Sequence, residues 1–163
     1  MLLILEGPEG AGKSTIAKMV TDVWDTRNPP VYVHHVRGDS NPTRIETDLK
    51  EAEDNPETLY IFDRWWPSAL VYRPHDGHAN LLPLDPWLLE QKYGKRADEQ
   101  GLRYLVTRPV QKLIENRGED AVDIDPAHEL LMYQMLCSPM WRRTTLKTFD
   151  VIDFEAEMRW RWG

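Results

Sequence analysis

The amino terminus constrains the fold of this chain more than any other stretch. An apolar run of strand length, residues 1–6, leads into the pattern Gly7-x-x-x-x-Gly12-Lys13-Ser14, and apolar residues with helical spacing follow. Glycines let such a loop curl so that successive backbone N–H groups point at phosphate oxygens, and the next helix contributes its positive dipole end. The sequence therefore predicts a strand, a phosphate-binding loop (P-loop, or Walker A motif) and a helix.

The loop also predicts how a nucleoside triphosphate is bound. In this motif the lysine, here Lys13, reaches the β- and γ-phosphates, and the hydroxyl of Ser14 ligates the magnesium ion that bridges them. ATP and Mg²⁺ are therefore the expected cofactors. The residues predicted to hold them are Gly7, Gly10, Ala11, Gly12, Lys13, Ser14 and Thr15.

Length, charge and cysteine content exclude several other classes of protein. The 163 residues are predicted to form one domain, and the net charge of −7 argues against non-specific nucleic-acid binding, which needs a basic surface. Cys137 is the only cysteine, so an internal disulfide and a multi-cysteine zinc site are excluded. No stretch approaches the length of a membrane span. We therefore expect a cytoplasmic protein without membrane contacts.

Strand and helix patterns alternate along the whole chain. This alternation predicts an α/β fold with three layers: a mostly parallel five-stranded sheet with helices on both faces. Residues 95–101 are predicted to be a polar linker. After the first strand, strands are predicted at 31–36, 59–62, 102–106 and 148–152, and helices are predicted to begin near Pro42, Ser68, Pro86, Val110 and Pro126.

Three sequence blocks resemble signature motifs of the thymidylate kinase family. They are the P-loop with its flanks (residues 5–15), Asp63-Arg64-Trp65 with Ser68 and Tyr72 beyond it, and Asn116-Arg117-Gly118-Glu119-Asp120. Residues 151–153 are similar to the last strand of that family, so the resemblance covers most of the chain. It implies a P-loop nucleoside monophosphate kinase fold with an acceptor pocket and a short lid at about 116–125.

The resemblance also implies roles for individual residues. Lys13 would contact the transferring phosphoryl group, Ser14 and Asp63 would hold magnesium, and Arg117 would begin the lid and stabilise the transition state. The implied catalytic set is Lys13, Asp63, Arg64 and Arg117. The implied acceptor-binding set is Glu9, which faces the sugar hydroxyl, the phosphate-gripping Arg37 and Arg64, and Trp65, Ser68, Tyr72 and Arg73. Relatives commonly pair, so the resemblance leaves a homodimer open.

Two departures from the family pattern bear on the acceptor. Arg73 stands where bacterial members usually carry the glutamine that helps read thymine, and Arg117 is the only arginine of the presumed lid. Because of Arg73, the expected acceptor is a (deoxy)pyrimidine nucleoside monophosphate without a commitment to thymidylate. The single arginine of the lid is compatible with a slower kinase, with a different acceptor or with a partner that supplies an arginine. Trp65 and Trp66 either fill the core or stack on the base of the acceptor.

Two alternative functions stay open at the level of the sequence. The first is a P-loop kinase that phosphorylates a hydroxyl group, in a nucleoside or in a modified (hydroxymethyl) base of DNA, with Asp63 as the general base. The acidic composition disfavours DNA. The second is a non-catalytic nucleotide-binding module or GTP-dependent switch, which is disfavoured because the chain contains no Asn-Lys-x-Asp guanine signature.

Overall fold

The protein is built around a parallel β-sheet between two layers of helices. The structure, a computed structural model, describes residues 1–24, 31–35, 42–72, 85–118, 121, 123–137 and 139–162. These residues form four strands of five or six residues and a three-residue edge strand, in the order β2-β3-β1-β4-β5. The strands are β1 (Leu2–Glu6), β2 (Val31–His35), β3 (Leu59–Asp63), β4 (Gly101–Val106) and β5 (Arg142–Thr144). The predicted α/β fold with a parallel sheet is confirmed.

Helices connect successive strands and cover the sheet. They are α1 (Lys13–Trp24), α2 (Pro42–Asp54), α3 (Trp66–Tyr72), α4 (Pro86–Leu89), α5 (Lys95–Gln100), α6 (Val110–Glu115), α7 (Pro126–Leu136) and α8 (Val151–Trp162). A π-helical turn, Glu90–Gly94, joins α4 to α5. Within the described ranges, the chain has no helix whose length and apolar character would suit a membrane span.

Strand β1 is buried on both of its faces, which explains its uninterrupted apolar sequence. Leu2 and Ile4 pack into the core cluster under α2, α3, α5 and α7. Leu3 and Leu5 point to the opposite face, into the cluster under α1, α6 and α8. The alternation of side chains along a strand therefore divides one apolar run between two cores.

The sheet register brings the sequence motifs to one edge. In the pairing of β1 with β3, Leu5 lies opposite Asp63, and in the pairing of β1 with β4, Glu6 lies opposite Leu105. All of these strands are parallel, so their carboxyl ends meet at the same edge of the sheet. The P-loop and the Asp63-Arg64 block are thereby placed side by side.

The last strand lies earlier in the sequence than the pattern predicted. Residues 148–152 were expected to form it, whereas β5 is Arg142–Thr144 and α8 already begins at Val151. The cause is local hydrogen bonding: Asp150 Oδ1 accepts from the backbone N–H groups of Ile152 and Asp153, at 2.9 and 3.1 Å. This carboxylate caps the helix and removes the segment from the sheet.

Residues 95–101 were predicted as a linker, and this prediction is wrong. They form α5 and the first residue of β4, because their charged residues make specific pairs with other elements. Arg96 contacts Glu46 and Glu53 of α2 at 2.8 Å, which holds α5 against α2. The polar composition of residues 95–101 therefore reflects a helix that packs through ion pairs, and not a solvated loop.

Gly101 provides a test of how closely β1 and β4 approach. A Cβ atom on Gly101 would lie 1.7 Å from the carbonyl oxygen of Leu2, whereas one on Gly118 would meet nothing within 4 Å. Gly101→Ala should therefore force the two strands apart and lower the free energy of unfolding by about 2–3 kcal/mol. Gly118→Ala is the matched control and should change it by less than about 0.5 kcal/mol. Urea denaturation measures both, and equal effects would contradict the packing described.

Candidate active site

The P-loop adopts a backbone conformation that its glycines make accessible. Gly7, Gly10 and Gly12 have φ angles of 139°, 79° and 104°, which residues with a Cβ atom rarely adopt. At Gly7 a Cβ atom would lie only 2.1 Å from the carbonyl oxygen of Val106, at the end of β4. The loop is therefore held against the end of a neighbouring strand, with α1 beginning at Lys13.

Lys13 is bound by the loop from which it projects. Its Nζ donates hydrogen bonds to the carbonyl oxygens of Gly7, at 2.7 Å, and Pro8, at 2.9 Å, and the residue is only 6% exposed. Burial, followed by the nearby charge of Arg64, lowers the pKa of Lys13 to about 8. An anion bound in the loop would stabilise the charged form of this amine, as a phosphate group does.

Ser14 and Asp63 join the P-loop to the end of β3. The Ser14 hydroxyl donates a hydrogen bond to Asp63 Oδ2 at 2.8 Å. Hydroxyl and carboxylate oxygens are hard ligands, and Mg²⁺ in nucleotide sites usually takes one or two protein oxygens and completes its shell with phosphate oxygens and water. The pair therefore fits a magnesium ion held together with a nucleotide.

Arg64 occupies a strained position directly after β3. Its φ angle is 92°, a conformation that costs about 1–3 kcal/mol for a residue other than glycine. Its backbone N–H donates to the carbonyl oxygen of Leu5 at 2.9 Å, its guanidinium donates to the hydroxyl of Tyr133 at 3.1 Å, and the same group stacks 4.7 Å above the ring of Tyr72. These contacts hold the charge beside the P-loop.

Glu6 fixes the turn that carries Arg64. Its carboxylate is fully buried and accepts hydrogen bonds from the backbone N–H groups of Trp65 and Ser68, and from the Ser68 hydroxyl at 2.6 Å. Burial raises the pKa of Glu6 to about 7, although its hydrogen bond with Ser68 and the charge of Arg64 act in the opposite direction. The last residue of β1 thereby holds the first turn of α3.

Glu129 is the residue of this site that the sequence analysis missed. Its fully buried carboxylate accepts a hydrogen bond from the backbone N–H of Glu9 at 3.0 Å and one from the hydroxyl of Tyr72, and it forms an ion pair with Arg117. An acidic residue in the first turn of a helix is common because of the helix dipole, so nothing in the sequence distinguished it. Three predicted site residues, Glu9, Tyr72 and Arg117, therefore contact one carboxylate that was not predicted.

The structure thus brings together eight of the residues that the sequence motifs predicted, Glu9 through its backbone N–H and the others through their side chains. They are Glu9, Lys13, Ser14, Asp63, Arg64, Ser68, Tyr72 and Arg117. Thr15, next to Ser14, is exposed. Arg108, from the segment after β4, donates to the carbonyl oxygen of Gly10 at 3.1 Å. Arg37, Arg73 and the lid residues Glu119 and Asp120 lie outside the described residues.

Trp65 does not take the acceptor-binding position that was predicted for it. Its side chain is 1% exposed and packs against the rings of Tyr93 and Trp141, with centroid distances of 6.4 and 6.3 Å. Trp66 is fully buried in the same core cluster. Of the two alternatives that the sequence left open, both tryptophans therefore take the core position, and neither presents a free face to a base.

Solved structures show where this fold occurs elsewhere. The chain is similar to the YorR protein of Bacillus subtilis in complex with phosphorylated GDP, with a TM-score of 0.67 and 18% identity over 98% of this chain and 94% of YorR. It is also similar to Kti12 of Chaetomium thermophilum in complex with ADP-AlF3, with a TM-score of 0.57 and 11% identity over 100% of both chains. Deoxyadenosine kinase of M. mycoides, with the products dCMP and dCDP bound, gives a TM-score of 0.50 and 15% identity over 98% of this chain and 97% of the kinase.

These similarities show a fold shared with proteins that were solved with nucleotides bound, one of which is named as a kinase. No protein-family model matches the sequence, and a comparison with curated proteins gives no match.

The buried carboxylate of Glu6 predicts a pH dependence of stability. Its pKa is about 7 in the folded protein and near 4.5 ordinarily, so folding favours the protonated form of this side chain. The stabilisation from this protonation is complete below pH 4.5 and is lost as the pH rises through 7. Glu6→Gln removes this titration and keeps an acceptor for the backbone N–H groups. Between pH 5 and 8 the unfolding free energy of the wild type should fall by about 2 kcal/mol relative to the variant. Urea denaturation at several pH values tests this, and parallel curves would contradict it.

Proposed function

We propose that this protein is an ATP- and magnesium-dependent kinase that transfers the γ-phosphoryl group to the phosphate of a nucleotide, a (deoxy)pyrimidine nucleoside monophosphate. The observation that carries the proposal is the 2.8 Å hydrogen bond between Ser14 and Asp63. It joins two motifs, 49 residues apart in sequence, that the resemblance to thymidylate kinases assigns to the two sides of one phosphoryl transfer. The shared fold with nucleotide-binding P-loop proteins supports this assignment.

On the donor side, the loop provides positive charge and backbone donors. The amine of Lys13 would exchange the carbonyl oxygens of Gly7 and Pro8 for phosphate oxygens, a stronger, charge-assisted interaction. Ser14 and Asp63 would hold Mg²⁺, which supplies charge neutralisation to the phosphates. Lys13, Ser14 and Asp63 would thereby hold the phosphates of ATP and the metal ion between the P-loop and the end of β3.

On the acceptor side, the chemistry needs positioning more than proton transfer. An acceptor phosphate is largely ionised near neutral pH, so its oxygen can attack without a strong general base. The strained turn at Arg64 would hold that phosphate in line with the γ-phosphate, and Arg117 would meet the charge that develops in the transition state. Asp63 acts as a metal and positioning residue in this scheme.

A kinase with a hydroxyl acceptor is the second candidate function. One neighbour in fold, the deoxyadenosine kinase, is named for a nucleoside substrate, whose acceptor group is a hydroxyl. The carboxylate of Glu129 on the acceptor side of the loop also suits a neutral acceptor better than a charged one. In that case Asp63 would have to act as a general base toward the hydroxyl.

Replacement of Lys13 tests the role of the P-loop. Lys13→Met keeps a flexible apolar stem in a buried position but removes the charge, and we expect turnover to fall at least about a hundredfold while the protein stays folded. Lys18→Met is the matched control, because Lys18 lies in the same helix with its side chain 73% exposed. ATP-dependent turnover and circular dichroism measure the outcome. Unchanged turnover in Lys13→Met would remove the loop from the mechanism.

An acceptor screen separates the two candidate functions. ADP release should be observed with pyrimidine deoxynucleoside monophosphates and should be much slower with the corresponding nucleosides and with DNA that carries hydroxymethylated bases. The reason is that Arg64 can contribute only where the acceptor has a phosphate to bind. If ADP is released with nucleosides alone, the acceptor is a hydroxyl and the first proposal is wrong.

A further inference from the structure

The carboxylate of Glu129 is surrounded by donors of the kind that bind phosphate. They are a backbone N–H of the P-loop (Glu9), a phenol (Tyr72) and a guanidinium (Arg117). Backbone amides of such loops and arginine side chains are common ligands of phosphate oxygens in proteins. Here an internal carboxylate satisfies all three of them at once.

The position of these donors is on the acceptor side of the loop. Glu9 is the P-loop residue predicted to face the acceptor, and Tyr72 lies under the guanidinium of Arg64 at 4.7 Å. A group bound there would lie between the P-loop and the arginine proposed to grip the acceptor. The carboxylate of Glu129 is fully buried there and makes contacts on both sides.

We propose that the Glu9 N–H, the Tyr72 hydroxyl and the Arg117 guanidinium form an oxyanion subsite for the phosphate of the acceptor, and that the carboxylate of Glu129 occupies this subsite until a phosphate displaces it. The identification of the ligand as the acceptor rests on the function proposed above. The subsite itself rests only on the geometry around Glu129.

Like charges explain why the two anions exclude each other. A carboxylate and a phosphate that share one set of donors would repel strongly in a site shielded from water. The side chain of Glu129 has three rotatable torsions, so it can leave without moving α7, whose amino terminus is held separately by Asp125 through the backbone N–H of His128 at 2.9 Å. Binding of the phosphate would thereby break the ion pair with Arg117.

This exchange would couple acceptor binding to the arginine of the lid. While Arg117 is paired with Glu129, its charge is neutralised, and a further hydrogen bond, to the carbonyl oxygen of Ile124 at 2.8 Å, holds it near α7. A phosphate in the subsite would take over the guanidinium and bring its charge to the reacting groups. The positive charge of Arg117 would then reach the transferring phosphoryl group only when an acceptor is bound.

Isothermal titration calorimetry with inorganic phosphate tests the subsite without requiring any turnover. Glu129→Gln keeps an acceptor oxygen for Glu9 and Tyr72 but places an amide against Arg117, so the arginine is released to an added anion. We expect the variant to bind phosphate at least about tenfold more tightly than the wild type. In the double variant Glu129→Gln/Arg117→Gln, this gain should be lost.

A matched control excludes a general effect of removing a buried acid. Glu155 is 5% exposed and pairs with Arg159 at 2.9 Å on α8, outside the site. Glu155→Gln should bind phosphate as the wild type does. An equal gain in this control, or no gain in folded Glu129→Gln, would overturn the proposal.

A second measurement covers the case in which Glu129→Gln does not fold. In ¹⁵N-labelled wild type titrated with inorganic phosphate, the amide resonance of Glu9 should shift saturably, because its hydrogen-bond partner changes. A Glu9 resonance that stays unchanged at saturating phosphate would overturn the proposal.

The two proposals can fail independently of each other. Tighter phosphate binding by Glu129→Gln together with no kinase activity on any acceptor would leave the subsite standing and remove the proposed function. Kinase activity on nucleoside monophosphates with unchanged phosphate binding in Glu129→Gln would leave the function standing and remove the subsite.

Discussion

The parallel pairing of β1 with β3 is the interaction on which the site depends. The P-loop follows β1 and the Asp63-Arg64 block follows β3, so the spacing between these strands fixes the spacing between the two motifs. The backbone N–H of Arg64 extends the pairing by one more hydrogen bond, to the carbonyl oxygen of Leu5. A shift of register by one residue would turn every side chain of the strand to the other face and separate Ser14 from Asp63.

The site concentrates buried charge at a cost to stability. Glu6, Lys13, Asp63 and Glu129 are all buried at one edge of the sheet, and burial of an ion costs several kcal/mol unless partners compensate for it. The partners here are backbone groups and opposite charges, and the shifted pKa values of Glu6 and Lys13 show that compensation is incomplete. Natural active sites commonly trade stability for function in this way.

Sequence reasoning succeeded where local chemistry determines structure. Glycines at positive φ and a lysine at a helix start specify the P-loop within eight residues, and the apolar runs specify the central strands. It failed where the hydrophobic pattern is weak or where distant partners determine the structure. Strand β5 has only three residues, two of them exposed arginines, and α5 is held by ion pairs with α2, so neither shows a clear hydrophobic period. The role of Glu129 depends on residues 57 and 120 positions away.

The pairing of Glu129 with Arg117 also gives a physical meaning to the low arginine content of residues 116–125, the segment predicted to be a lid. A lid with several arginines could neutralise the transferring phosphoryl group even if one of them were paired with an acid. Here Arg117 is the only arginine in the sequence of the predicted lid, and it is paired with a carboxylate that is itself fixed to the P-loop through Glu9. Charge stabilisation in the proposed reaction therefore depends on breaking one ion pair, whose free energy must come from acceptor binding. A site built in this way would suppress transfer of the phosphoryl group to water, because water brings no anion to displace the carboxylate.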